Sequence, residues 1–200
     1  MGRAKRVADL FAGIGTVTFA LAASAGVDAY EQDEAAIAAL GQAALATPKL
    51  KPVRTFARDL FRAPLSVGDF ARYDAVVLDP PRAGAKAQAE TLAASSVPKV
   101  AMVSCNPGTC ARDLRILADG GYRITRVVPV DQFLFSPHIE LVALLEREGG
   151  QSEAYPPALG WQRAVAHPTG LASPRESRGP VFFLRFARWI PACAGMTKTD

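Results

Sequence analysis

The chain is predicted to fold as an α/β domain: a mostly parallel sheet, helices on both faces, and an antiparallel hairpin at one end. Short apolar runs alternate with helical stretches, which is the signature of parallel strands joined by crossover helices. Three of those runs stop abruptly on polar residues, and the last two have no helix between them. In an open α/β sheet, ligands gather beyond the carboxyl ends of the strands, so the polar endings describe one cleft.

The elements follow in order. A first strand near 6–11 carries Val7-Ala8 and runs into Asp9-Leu10-Phe11-Ala12-Gly13-Ile14-Gly15, with a helix near 15–25 behind it. Strands are expected near 26–31, 52–57, 74–79 and 98–104, with helices near 33–46, 86–95 and 109–119. The fourth strand, Ala75-Val76-Val77-Leu78, ends at Asp79-Pro80-Pro81-Arg82, and the fifth, Val100-Ala101-Met102-Val103-Ser104, closes on Cys105-Asn106-Pro107. Strands near 122–130 and 138–146 are linked through Pro129 to Pro137 without a helix, which is why an antiparallel hairpin is expected there. From Gly149-Gly150 onward, Pro156-Pro157, Pro168, Pro174, Pro180 and Pro191 break every candidate element. The chain therefore reads as a domain over 1–149 and an irregular extension over 150–200.

Composition excludes several classes. With 200 residues, 50% hydrophobic and 21% charged, the chain can bury a real core and is neither fibrous nor transmembrane. Cys105, Cys110 and Cys193 lack the spacing of a disulfide framework, a zinc site or an iron–sulfur site, so a reducing, cytoplasmic setting and no metal are expected. Arg3, Lys5 and Arg6 before an apolar stretch imitate a signal peptide, but Asp9 and the Gly13/Gly15 pair interrupt that stretch. Residues 151–200 carry 6 Lys+Arg against 3 Asp+Glu, so most of the net +4 belongs to the extension. The basic groups Arg54/Arg58/Arg62 and Arg112/Arg115 are small, and read more as solvated surface than as a nucleic-acid footprint.

Chemistry concentrates at the strand ends. A thiol at the rim, just before a helix, can serve as a nucleophile, which singles out Cys105; Cys110 falls one turn into that helix and reads as buried packing. The glycine loop around Gly13 lets a ligand approach the backbone, although Thr18 stands where a dinucleotide loop would place its third glycine. Glu31, ending the second strand, is placed to bind ribose hydroxyls, and Asp59, after the third, suits an adenine amino group. Two prolines hold Asp79 at the cleft. In the last strand His138 and Glu140 share a face with Val142 and Leu144, and a carboxylate on a largely apolar face should have a raised pKa suited to a general base.

Taken together, the motifs Asp9-Leu-Phe-Ala-Gly-Ile-Gly15, Asp59-Leu-Phe, Asp79-Pro-Pro-Arg-Ala-Gly84, Ser104-Cys-Asn-Pro-Gly-Thr-Cys-Ala-Arg-Asp-Leu114 and Asp131-Gln-Phe-Leu-Phe-Ser-Pro-His-Ile-Glu140 resemble the catalytic domain of the S-adenosylmethionine-dependent RNA (uracil-5-)-methyltransferases. The resemblance runs from about residue 6 to 147. It implies a Rossmann-like class I methyltransferase fold, S-adenosylmethionine as cofactor, an rRNA or tRNA substrate, no membrane and a monomer. It further implies that Cys105 adds to carbon 6 of uracil, that Glu140 removes the carbon 5 proton, that Gly13, Glu31 and Asp59 hold the cofactor, and that Asp79 orients either the base or the cofactor's methionine end. The family's upstream helical segment, and the RNA-binding β-barrel that often precedes it, have no counterpart before Met1, so an amino-terminally truncated catalytic domain is expected. An inactive remnant of such an enzyme is the rival reading. An amino-group methyltransferase would share Asp-Pro-Pro but would need neither the cysteine nor the His-x-Glu.

Overall fold

The structure is a computed structural model that describes residues 4–131 and 139–147. His138, Cys193 and the expected extension over 150–200 lie outside the described residues. The elements are β1 (Arg6–Leu10), α1 (Thr16–Ala22), β2 (Gly26–Glu31), α2 (Glu34–Ala46), β3 (Val53–Ala57), α3 (Val67–Phe70), β4 (Ala75–Leu78), α4 (Lys86–Ala93), β5 (Lys99–Ser104), α5 (Pro107–Asp119), β6 (Tyr122–Val130) and β7 (Glu140–Arg147). Every expected strand and helix is present among them. The sheet order is β3-β2-β1-β4-β5-β7-β6, with parallel pairing from β3 through β5 and antiparallel pairing of β7 to both β5 and β6.

Burial on both faces explains why the central strands read as unbroken apolar runs rather than alternating ones. All four residues of β4 are buried. On one face Leu10, Val76, Leu78, Val100, Met102 and Leu145 pack with Leu92 of α4 and Leu114 and Leu117 of α5. On the other, Val7, Val27, Val77, Val103 and Leu144 pack with Val17 and Leu21 of α1. Each such side chain contributes roughly 1.5–3 kcal/mol of transfer free energy.

Two details depart from expectation. Helix α3 falls where no element was expected; Ser66 and Asp69 cap each other reciprocally and hold its single turn. Helix α5 starts at Pro107 rather than near Thr109, because Asn106 is the cap, its side-chain oxygen accepting from the N–H groups of Gly108 and Thr109, and proline is preorganised for the first turn. Pro129 is tolerated inside β6 because that strand is the sheet edge.

Candidate active site

The glycine loop leaves β1 with Gly13 at φ 55, a left-handed conformation, and a Cβ built there would meet nothing within 4 Å. Glycine at this point therefore serves the turn and leaves open space above the loop. Glu31, ending β2, ties this loop down: Oε2 accepts from the Gly13 N–H at 3.0 Å, and Oε1 from Gln32 and Asp33 at 2.8 and 3.1 Å. Beneath it, Asp9 is fully buried; Oδ2 accepts from the Thr18 hydroxyl at 2.5 Å, and Oδ1 is buried with no hydrogen-bond partner. Burial pushes the Asp9 carboxyl up to about 7 against the pull of Thr18, and the charges of Asp79 and Glu31 push the same way.

Asp59 lies after β3, where Oδ1 accepts from Phe61 and Arg62 N–H groups at 2.9 and 3.1 Å and Oδ2 faces the Arg62 guanidinium at 3.7 Å. The carboxylate thus shapes its own turn. The turn presents Phe61, 43% exposed, against Phe11 with ring centroids 5.4 Å apart. With Ile14 69% exposed on the glycine loop, the rim beside Gly13 is apolar as well as acidic. Sequence reasoning missed these rings, since their exposure depends on how the two loops meet.

Asp79 follows β4, its N–H bonded to the Leu10 carbonyl of β1 at 3.2 Å. Asp79 is exposed at its surface, yet the protein atoms packed around its carboxyl raise it to about 6, with the charge of Glu140 adding to the shift. Glu140 begins β7, half-buried, and burial raises its carboxyl too. Cys105 is a free, half-buried thiol directly after β5. Strand register gathers these groups, because Leu78 pairs with Met102 and Ser104 pairs with Leu141. Asp79, Cys105 and Glu140 thus leave three neighbouring strands at one end of the sheet. Cys110 is different: it is 2% exposed in the core of α5, and burial beside Asp113 pushes its thiol up to about 11 although a Ser104 hydrogen bond opposes the shift.

Comparison with known proteins gives this arrangement a family. The model of the tRNA (uracil-5-)-methyltransferase family matches residues 4–148. The chain belongs to that family. An uncharacterized RNA methyltransferase of Agrobacterium fabrum is 56% identical over 147 residues, a match covering 74% of this chain and 35% of that protein. The chain thus spans about a third of the length of the curated relatives it matches. A crystal structure of the Pyrococcus abyssi tRNA (uracil-54, C5)-methyltransferase in complex with S-adenosyl-L-homocysteine superposes with TM-score 0.62 at 31% identity, covering 72% of this chain and 35% of that one. Magnesium protoporphyrin IX methyltransferase of Synechocystis, 17% identical with TM-score 0.54 over 72% of this chain and 74% of its own, shares the fold alone. The seven-stranded sheet with its antiparallel hairpin is therefore the Rossmann-like methyltransferase architecture in this uracil-5-methyltransferase family member. Among the described residues, no helix is long and apolar enough to cross a membrane.

Proposed function

We propose that this chain carries the catalytic centre of an RNA (uracil-5-)-methyltransferase, working on a uridine of tRNA or rRNA through a covalent cysteine adduct. The observation that carries the reading is the convergence of the half-buried thiol Cys105 with Asp79 and Glu140 at one end of the sheet, while Cys110 is sequestered in the core.

The residues present fit S-adenosylmethionine. Gly13 leaves open space above its loop, Glu31 and Asp59 stand at the ends of β2 and β3 where ribose and adenine would be held, and Asp9, at the end of β1, keeps a buried carboxylate oxygen without a partner. When bound, the cofactor supplies an electrophilic methyl group. Cys105 attacks carbon 6 of the uracil as thiolate, and the electron pair moves onto the ring so that carbon 5 becomes nucleophilic. Asp79 orients the base or the methionine end. Once carbon 5 is methylated, Glu140 takes its proton, and the returning pair expels the Cys105 sulfur. Burial raises the Glu140 carboxyl, which makes it a stronger acceptor at neutrality. The free thiols of Cys105 and Cys110 suit a cytoplasmic enzyme.

A tRNA or rRNA hairpin carrying 5-fluorouridine tests this chemistry, because fluorine replaces the proton that Glu140 removes. The expected result is an adduct that survives denaturation, requires S-adenosylmethionine, and disappears in Cys105→Ser while persisting in Cys110→Ser. On normal RNA, Glu140→Gln should accumulate the same adduct. An adduct that depends on Cys110, or none at all, overturns the proposal.

A further inference from the structure

The sequence motif after Cys105 continues through Thr109 to Arg112 and Asp113, and the catalytic reading leaves these residues without a task. Asp113 is fully buried on the inner face of α5. A carboxylate there is costly, and a leucine would pack at lower cost, so its partners must explain it. Asp113 Oδ2 accepts the Ala85 N–H at 2.6 Å, and Oδ1 accepts from Arg112 Nε at 2.8 Å. The Arg112 guanidinium in turn donates to the Ala83 carbonyl at 3.0 Å. One and two turns earlier on the same helix face, the Thr109 hydroxyl and the Asn106 amide both donate to the Arg82 carbonyl, at 3.1 and 3.2 Å.

The first two turns of α5 thus satisfy the main chain of residues 82–85, a segment that Pro80 and Pro81 keep out of the sheet ladder. The approach is as close as backbone allows. Gly84 is at φ 77, and a Cβ there would lie 2.5 Å from the Arg112 guanidinium, 2.6 Å from the Asp113 carboxylate and 2.9 Å from Thr109 Cβ. Both halves of this clasp adjoin the proposed chemistry: the 82–85 segment follows Asp79, and the cap of α5 follows Cys105.

We propose that Arg112 and Asp113 are positioning residues that fix the Cys105 thiol relative to Asp79, with Gly84 as the point of closest approach. Resting on the reading of Cys105 as nucleophile, the proposal makes the two motifs one device. β4 and β5 are joined by their ladder inside the sheet, and the clasp joins them again beyond it, where the ladder has ended and the reacting groups begin. Addition to a ring carbon demands that the sulfur stand at the right place and angle, and a displacement of about 1 Å can cost on the order of 10²-fold in rate.

The test uses the full chain with Asp113→Asn, Gly84→Ala and Arg112→Lys, the last keeping its charge but unable to serve both Asp113 and Ala83. Adduct formation on 5-fluorouridine RNA, S-adenosylmethionine affinity by calorimetry, and alkylation of Cys105 and Cys110 by iodoacetamide are measured together. Asp113→Asn and Gly84→Ala should slow the adduct by on the order of 10²-fold while the cofactor Kd stays within about twofold. Arg112→Lys should fall between them and wild type. The Cys105 alkylation rate should change while Cys110 remains protected, which separates a misplaced thiol from an opened core. Should wild type form no adduct, the functional reading fails and the clasp is judged on alkylation alone. Unchanged Cys105 behaviour, or Cys110 becoming reactive in step with it, overturns the positioning role. If Asp113→Asn does not fold, Thr109→Val, which removes one hydroxyl and keeps the shape, is read by the same measurements.

Discussion

Glu31 accepts the Gly13 N–H at 3.0 Å, so the carboxylate that ends β2 also fixes the glycine loop that ends β1. Its proposed ribose-binding role and its loop-holding role are therefore linked. Glu31→Ala is expected to weaken S-adenosylmethionine binding by about 1.5–3 kcal/mol, the usual worth of hydrogen bonds to a charged group. Calorimetry showing equal affinity in wild type and variant would remove Glu31 from the site.

The buried Asp9 carboxyl makes a statement about pH. Its folded-state value of about 7 lies above the ordinary 3.8, so between those values the folded chain binds more protons than the unfolded one. Stability should then fall as pH rises through that window, with a slope approaching ~1.4 kcal/mol per pH unit from this group. Asp9→Asn should flatten the decline, as read by urea midpoints between pH 4 and 7. A parallel decline in both proteins would show that Asp9 ionises freely when folded.

A cationic ligand beside Asp9 and Asp79 favours their ionised forms. Since burial lifts these carboxyls to about 7 and about 6, S-adenosylmethionine should bind more tightly as pH rises through that range and release protons as it binds. The proton count is read from the dependence of binding enthalpy on buffer ionisation. A binding enthalpy independent of buffer would detach both carboxylates from the cofactor.

At the other end of the strands, Asp28 receives Arg54 Nε at 2.7 Å, Arg6 at 3.1 Å and the Tyr73 hydroxyl at 2.7 Å. Removing the carboxylate leaves buried hydroxyls and crowded guanidiniums without their shared acceptor. Asp28→Ala should destabilise the fold by about 3 kcal/mol, the lower end for breaking a buried pair, because the arginines can reach water. A loss below about 1 kcal/mol, typical of exposed pairs, would mean the network is a surface feature.

Arg147 closes β7 by donating to the carbonyls of Gly120 and Ala93 at 3.0 and 2.6 Å. Ending the chain just after it is expected to leave stability unchanged within about 1 kcal/mol, because the sequence beyond loses all periodicity. A marked drop in Tm would assign residues 150–200 to the core.

The elements that could be read in advance are those whose burial is set by period and by two-faced packing. β4 and the middle of β5 are apolar because helices cover both faces; the Asp79 and Cys105 positions follow from where those runs stop, and the Glu140 position from where β7 begins. Helix α3 escaped because a four-residue turn has no period; the Ser66/Asp69 cap was its local signal. The task of Asp113 could not be read either. Its partner amide, Ala85, is 28 residues away, and only the fold brings a helix face onto that loop. Asp59 shows how one local pattern can be read in two ways, since the carboxylate proposed to hold a ligand is also the one that orders its own turn.

The place of β7 in the sheet has a temporal side. The sheet is completed out of sequence, with β7 entering between β5 and β6 so that Lys99 finds its partner in Glu146. During synthesis, the β5 edge therefore stays open until the chain has emerged through β7, and an open edge invites pairing with other chains. The same delay orders the chemistry. A nascent chain halted before residue 140 carries the thiol proposed to capture a base but not the carboxylate proposed to let it go, so capture without release is closed off only when β7 arrives.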